Sequence, residues 1–296
     1  MGRVRLSVEL PLHGSSFTEV REVALAAEAA AFDALCVPDQ LVPLRPGGPP
    51  PSECWTTLSA IAALTSKVEL GPLVLVLGLR NPALVAVEAS TLDRLVAGRS
   101  RLAVGLGGFT YARATAMLGL PHLALAERVA ELGRGIETLR DAWARAAARR
   151  IPITVAGRSG ELIALAARTA DGWNCPFAAE LAERTRQLDD ACARAGRRPG
   201  DVERSVYCLA AIGRTEREAE RARTEGAAME RLFGDVRAHH VFGTPEAALD
   251  RLLELSRGAV SEIMLHLLGR HETRLAAIEL CATEIIPGLA SAATRA

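Results

Sequence analysis

Short apolar runs alternate with longer amphipathic stretches along all 296 residues, and this alternation limits the fold more than any single motif. The apolar runs predict strands at Val4–Leu10, Ala34–Pro38, Val68–Leu77, Arg101–Gly105, Ile153–Ala156, Gly172–Cys175, Ser205–Ile212 and Glu262–Leu267. Helical patterns fall between them at Phe17–Ala31, Glu53–Leu64, Pro82–Val96, Ala124–Ala148, Gly160–Thr169, Ala178–Ala195, Glu216–Leu232 and Pro245–Leu255, with a last helix at Glu272–Glu284. In the third of these, Leu84, Val87, Leu92 and Leu95 recur at helical spacing, and Pro82 suits the first turn, where its missing N–H costs little. Eight strand-then-helix units predict a parallel (β/α)8 TIM barrel, because parallel neighbours need a crossover. A doubly wound sheet is the structural alternative, but it usually has fewer strands and would divide this length into two domains. No low-complexity linker divides the chain, so residues 1–296 read as a single domain.

Charge removes several classes of partner. Thirty-five basic residues balance 35 acidic ones, so bulk electrostatics favours neither nucleic acid nor an anionic membrane, and a small molecule or another protein is the expected partner. Lys67 is the only lysine, at the entry of a predicted strand, which is the wrong end for an α/β active site. A P-loop and a Schiff-base centre are thereby excluded. The six cysteines, Cys36, Cys54, Cys175, Cys192, Cys208 and Cys281, form no CxxC pair, so neither a zinc site nor a disulfide framework is expected. Neighbouring histidines such as His239 and His240 rarely converge on one metal, and no metal site is expected. The start of the chain alternates like a strand and lacks the apolar segment of a signal peptide, and the longest apolar run, Leu70–Leu79, is too short to cross a bilayer. Reduced, buried cysteines in a cytoplasmic protein are the expectation.

In a parallel barrel the site forms where the strand-to-helix loops meet, beyond the C-terminal strand ends. Here those ends read ELPLHG, VPDQ, VLGLRNP, VGLGG, VAGRSG, NCPF and MLHLLG. Four stretches, AFDALCVPDQL (31–41), the block from ECWTTL to VGLGG (53–108), IPITVAGRSGELIALAARTADGWN (151–174) and VFGTPEAALDRLLEL (241–255), resemble the bacterial luciferase-like family of flavin- or deazaflavin-dependent oxidoreductases. The run from TTL through RNPA to TLD and GR is the most specific part. The resemblance implies a barrel that binds FMN or coenzyme F420 across the strand ends, with a non-proline cis peptide bulging strand three around Leu73–Val74. It also implies a homodimer built through helices two and three. Helix two carries Trp55, Leu58, Ile61 and Ala62 on one broad face, which barrel packing would explain equally well.

The resemblance places the cofactor phosphate at VAGRSGE. Gly157 and Gly160 permit close backbone approach, the helix amides can bind an anion, and Arg158 or Ser159 can add a donor. In isolation the same residues would make an ordinary capped turn. Gly105 and Gly107 in VGLGG let a flat ring approach the backbone, although the pattern is not a dinucleotide fingerprint. Asn81 could bond the ring's polar edge or only form a turn before Pro82, and Glu53 could support the start of helix two.

Two departures bear on chemistry. Asp39 is followed by Gln40 where family members commonly carry a histidine, and glutamine is neither acid nor base near neutral pH. Gly108 stands where deazaflavin sugar-phosphate dehydrogenases carry a glutamate. His13, after strand one, and His266, late in strand eight, are the candidates to replace the missing histidine. The segment before strand five is also short, with only ARAAARR between Trp143 and Ile151, so the mouth is expected to be more open, or closed by a partner subunit or by the 43–52 loop.

The leading functional expectation is hydride transfer between coenzyme F420 and a small organic substrate. The alternatives are an FMN-dependent monooxygenase supplied by a separate flavin reductase, and a homologue that binds cofactor without turnover.

Overall fold

The computed structural model describes residues 3–257 and 260–295. Its strands are β1 (Arg5–Glu9), β2 (Ala34–Val37), β3 (Glu69–Pro72), β4 (Leu75–Val76), β5 (Leu102–Gly105), β6 (Ile153–Ala156), β7 (Gly172–Cys175), β8 (Glu203–Ile212), β9 (Val241–Gly243) and β10 (Glu262–Leu267). All pairings are parallel, in the order β3-β2-β1-β10-β8-β7-β6-β5-β4, with β9 added beside β8. The predicted third strand is therefore two short strands: β3 pairs with β2, β4 pairs with β5, and the Leu73–Val74 peptide between them is cis. Because β3 and β4 belong to one barrel strand, the two ends of the order meet and the sheet curls into a ring. A doubly wound sheet would leave two free edges.

The ring is drawn shut below the bulge. Leu70 accepts the N–H of Arg101 and donates its own to Arg99, both at 3.0 Å. A Cβ on Gly71 would stand 2.1 Å from the Arg101 carbonyl oxygen, so only glycine allows β3 and β5 to come this close.

Strand residues alternate between two cores. Leu6, Val8, Ile263, Leu265 and Val206 belong to the layer under the helices, whereas Cys36, Ala103, Tyr207, Leu209 and Met264 fill the barrel. At the N-terminal end of the interior, Arg101 grips Glu262 with two parallel hydrogen bonds of 2.5 and 2.6 Å, and the Ser7 hydroxyl also donates to Glu262. Burial by itself would raise the Glu262 carboxyl pKa, but Arg101 and Ser7 together hold it below the ordinary value.

The helix Pro82–Leu95 lies where its periodicity predicts, but the buried stripe is Val85, Ala86, Ala89, Leu92 and Asp93. Leu84, Val87 and Leu95 are 56, 61 and 62% exposed, so three of the four leucine and valine positions used to find the helix face outward. Spacing identifies a helix without saying which stripe is inside. Trp55, Leu58, Ile61 and Ala62 of helix Cys54–Ala62 are buried against the barrel. The segment predicted as one helix at Glu216–Leu232 divides at Gly226 into Glu216–Glu225 and Ala227–Phe233. The C-terminal run His271–Thr294 is long and apolar enough to cross a bilayer by length and composition alone. Its inner residues Ala277, Ile278, Cys281, Ile285 and Leu289 pack into the helix-side core as the last helical layer of the barrel.

Removing Arg101 would strand Glu262 as an uncompensated buried charge. Arg101→Met is expected to cost about 3–5 kcal/mol in urea unfolding at neutral pH. In the parent protein the lowered Glu262 pKa makes its contribution fully present above the ordinary value of 4.5, and this part of the stability disappears as pH falls through the folded value. The penalty of the substitution should therefore shrink on acidification.

Candidate functional site

β1 and β10 run in register with Val8 opposite Leu265, so the next pair, Glu9 and His266, points inward at one level near the C-terminal strand ends. His266 Nδ1 donates to Glu9 Oε1 at 2.6 Å, and the Tyr207 hydroxyl of β8 donates to the same oxygen at 3.2 Å. Glu9 is 9% exposed and His266 7%. Burial, then the nearby Glu9 charge, pushes the Tyr207 phenol well above its usual range, so it stays a neutral donor. The Nδ1 contact leaves Nε2 of His266 as the nitrogen available for proton exchange.

His13 approaches the same centre from the loop after β1. Its pKa is lowered by burial, with Glu9 opposing and His266 reinforcing the shift, and its Nε2 is buried without a partner. Gln40 Oε1, after β2, is likewise buried and unpartnered. The structure thus brings His13 and His266 around one carboxylate. Glu9 and Tyr207 are absent from the sequence-derived candidates, although a lone carboxylate at the inward-facing end of an apolar strand was a signal available for Glu9.

Asp39 has a different place. Its carboxylate accepts Arg80 Nη2 at 2.5 Å, Arg80 Nε at 3.2 Å and the Val76 N–H at 3.0 Å, while Arg80 also reaches Glu53 at 3.0 Å. Through these bonds Asp39 ties β4, beyond the cis peptide, to Arg80. Glu53 caps the following helix through Trp55 and Thr56, the role expected from its position. Asn81 caps helix Pro82–Leu95 by accepting from Ala83 and Leu84, so its oxygen is engaged by the backbone instead of open to a ring.

The cis Leu73–Val74 bond lies at the bulge expected from the resemblance, and both residues belong to or pack on the barrel-interior cluster. A Cβ on Gly105 would lie 2.8 Å from Val74 Cγ2, so glycine keeps β5 flat against the bulge. Arg128 donates to the carbonyls of Leu106 and Gly107 and stacks over Tyr111 at 3.7 Å, which fixes the loop after β5. Arg113 ties the helix Tyr111–Leu118 to the carbonyls of Pro43 and Leu44 at 2.6 and 2.8 Å, anchoring the 43–52 loop at its start.

After β6, Gly157 adopts φ +153°, a conformation that side chains strongly disfavour, and Ser159 caps helix Gly160–Thr169 by accepting from Leu162. A Cβ on Gly160 would meet nothing within 4 Å, so the helix start is open to an incoming group. The Glu161 carboxyl is held below its usual range by its own backbone N–H and then by Ser159. This helix end therefore already favours negative charge. Arg158 pairs with Glu180 at 2.5 Å and lies over the Phe177 ring at 4.8 Å. Open space at Gly160, the flat approach at Gly105 and the orphaned polar atoms of His13 and Gln40 fit a phosphate-bearing cofactor with a polar-edged ring. Among the described residues no group of three His, Cys, Asp or Glu side chains could hold a metal ion. The six cysteines are buried and unpaired.

Solved structures share this architecture. An F420-dependent secondary alcohol dehydrogenase in complex with an F420-acetone adduct superposes with a TM-score of 0.83 at 16% identity, over 97% of this chain and 99% of that one. The oxygenating constituent of 3,6-diketocamphane monooxygenase from Pseudomonas putida, in complex with FMN, gives 0.74 at 15% identity, with 97 and 99% covered. At such identities the likeness shows the fold alone. Among curated relatives, an F420-dependent glucose-6-phosphate dehydrogenase of Segniliparus rotundus is 33% identical over 42% of this chain and 37% of its own length. An uncharacterised protein of Mycobacterium bovis is 28% identical over 54% of this chain and 65% of its own. The matched stretches thus span less than two thirds of these relatives. The family description of luciferase-like monooxygenases matches residues 4–272, and the chain belongs to that family.

Proposed function

We propose that this protein is an F420-dependent oxidoreductase that moves a hydride between the deazaflavin and a small organic substrate. The observation that carries this reading is the buried Glu9–His266 pair inside the barrel near the C-terminal strand ends. Oxidising an alcohol or amine by hydride loss also releases a proton from oxygen or nitrogen, and reduction needs that proton returned. Glu9 holds the His266 ring through Nδ1, which leaves Nε2 to exchange the proton with the substrate. Tyr207 keeps Glu9 oriented, and His13 adds a second imidazole where Gln40 lacks acid–base capacity. Leu73, Val74, Gly105 and Gly107 would hold the ring, and the helix start at Gly157–Gly160 the phosphate. When bound, the deazaflavin supplies the hydride acceptor or donor. The names of the F420-dependent relatives support the choice of cofactor.

Fluorescence titration with coenzyme F420 and FMN tests the choice. F420 should bind and FMN should not; a preference for FMN would overturn it in favour of oxygen chemistry with a separate reductase. Gly160→Asp places a carboxylate at an open helix start and should weaken F420 roughly tenfold or more without loss of fold, by repulsion of the phosphate.

The rate should also depend on His13 in a defined direction. Its lowered pKa keeps the ring neutral to below 6.5, and activity should fall as pH drops through that lower value. In His13→Asn the acidic limb should move or vanish.

The exposed stripe of Leu84, Val87 and Leu95 supports a homodimer through helix Pro82–Leu95. Val87→Glu should shift sedimentation from dimer towards monomer while the circular dichroism spectrum is unchanged.

A further inference from the structure

The chain has only six phenylalanines and two tyrosines, and four of these eight meet at the barrel mouth. Phe233 is the hub: its ring centroid lies 5.7 Å from Phe109, edge to face at 84°, 5.6 Å from Phe177 and 5.1 Å from Tyr207. These residues come from separate connections. Phe109 follows β5, Phe177 follows β7, and Phe233 ends the helix Ala227–Phe233 between β8 and β9.

This is not a closed core. Phe109 is 54% exposed, and Phe177 and Phe233 are half-buried, so the cluster presents ring surface at the mouth. Nor is Phe233 loosely placed. Its carbonyl faces His240 Nε2 at 3.1 Å, while His240 Nδ1 accepts the Leu209 N–H at 3.3 Å, an arrangement satisfied by the neutral ring protonated on Nε2. Burial lowers the His240 pKa and favours that neutral form.

The charged groups nearby are already committed. Arg158 is taken by Glu180 and Phe177, Arg128 by two carbonyls and Tyr111, and Arg80 by Asp39 and Glu53. The one lysine, Lys67, precedes β3 at the opposite end of the barrel. A substrate phosphate would find few uncommitted cations here, whereas a flat apolar group would find aromatic surface supplied from three loops.

We infer that the substrate carries a flat, uncharged aromatic group that stacks on Phe233, with Phe109 and Phe177 flanking it above Tyr207. The inference rests on the mouth being the site of the proposed hydride transfer. Tyr207 joins the two parts of the site: its hydroxyl is on Glu9, its ring is against Phe233, and Glu9 carries His266. A ring seated on Phe233 would therefore bring a carbonyl or imine attached to it towards the proton-handling pair. Phe233 is a specificity-determining residue in this account.

Calorimetric binding of 2-acetylnaphthalene, cyclohexyl methyl ketone and glucose 6-phosphate to the whole protein tests the inference, with and without coenzyme F420. The naphthyl ketone should bind tightest. Phe233→Leu, which keeps an apolar side chain and the fold, should weaken the naphthyl ketone three- to tenfold more than the cyclohexyl ketone, the range expected for loss of an aromatic pair. Tightest binding of glucose 6-phosphate, an unchanged naphthyl-to-cyclohexyl ratio in Phe233→Leu, or stronger naphthyl binding once Phe233 is replaced would each overturn it. Aromatic selectivity without any binding of F420 would remove the F420-dependent reading and leave the aromatic subsite standing. F420 binding with a preference for glucose 6-phosphate would do the reverse.

Discussion

Everything at the mouth of this barrel depends on how closely β3 passes β5 at its base. Gly71 lies against the Arg101 carbonyl, and the Leu70–Arg101 backbone bond draws the ring shut there. Once Arg101 is fixed by that contact, its guanidinium spans the interior to Glu262 on β10. One residue thus joins the closing strand to the far side of the barrel through its backbone and its side chain. The register of β10 against β1 then sets Glu9 beside His266.

The upper half of the barrel is organised by a different compromise. Here β3 pairs with β2 below and β4 pairs with β5 above. The bulge at Leu73–Val74 separates those tasks, and Asp39 and Arg80 secure the upper piece through the Val76 N–H. Asp39 is bound up with Arg80 and the Val76 N–H, while Glu9 and His266 form a separate buried pair, with His13 near it. Polar and aromatic elements then occupy successive levels: the buried carboxylate and imidazole inside, Tyr207 bridging, and Phe233 with its neighbours at the rim.

The site was partly legible before the fold was known. His13 and His266 stood out as imidazoles at strand ends, and VAGRSG as a glycine-bearing turn into a helix. Glu9 was passed over although it is a lone carboxylate at the end of an apolar strand, and Tyr207 lies in VYCLAA, where nothing local says which side faces inward. Phe233 was hidden for another reason. Its helix was read as the tail of a longer one, whereas the segment breaks at Gly226, where a Cβ would lie 2.6 Å from Leu268. The stripe Leu84, Val87 and Leu95 shows the complementary limit, since its period located a helix correctly while its apolar character misnamed the buried face.

By itself the sequence determined the class of fold. Alternating strand and helix patterns have few packings, and eight parallel units with no dividing linker favour a closed ring over a doubly wound sheet with free edges. It also pointed to where a site would form, since the loops at the C-terminal strand ends can be read from the order of elements. What only the tertiary structure decided is which side chains share a level inside the ring. Register between strands far apart in the chain, such as Glu9 with His266 across 257 positions, is set by closure of the barrel and not by local propensity. The division of roles between Asp39, engaged by Arg80, and Glu9, held by histidine and tyrosine, follows from that closure because hydrogen-bond partners exist only once the ring has formed.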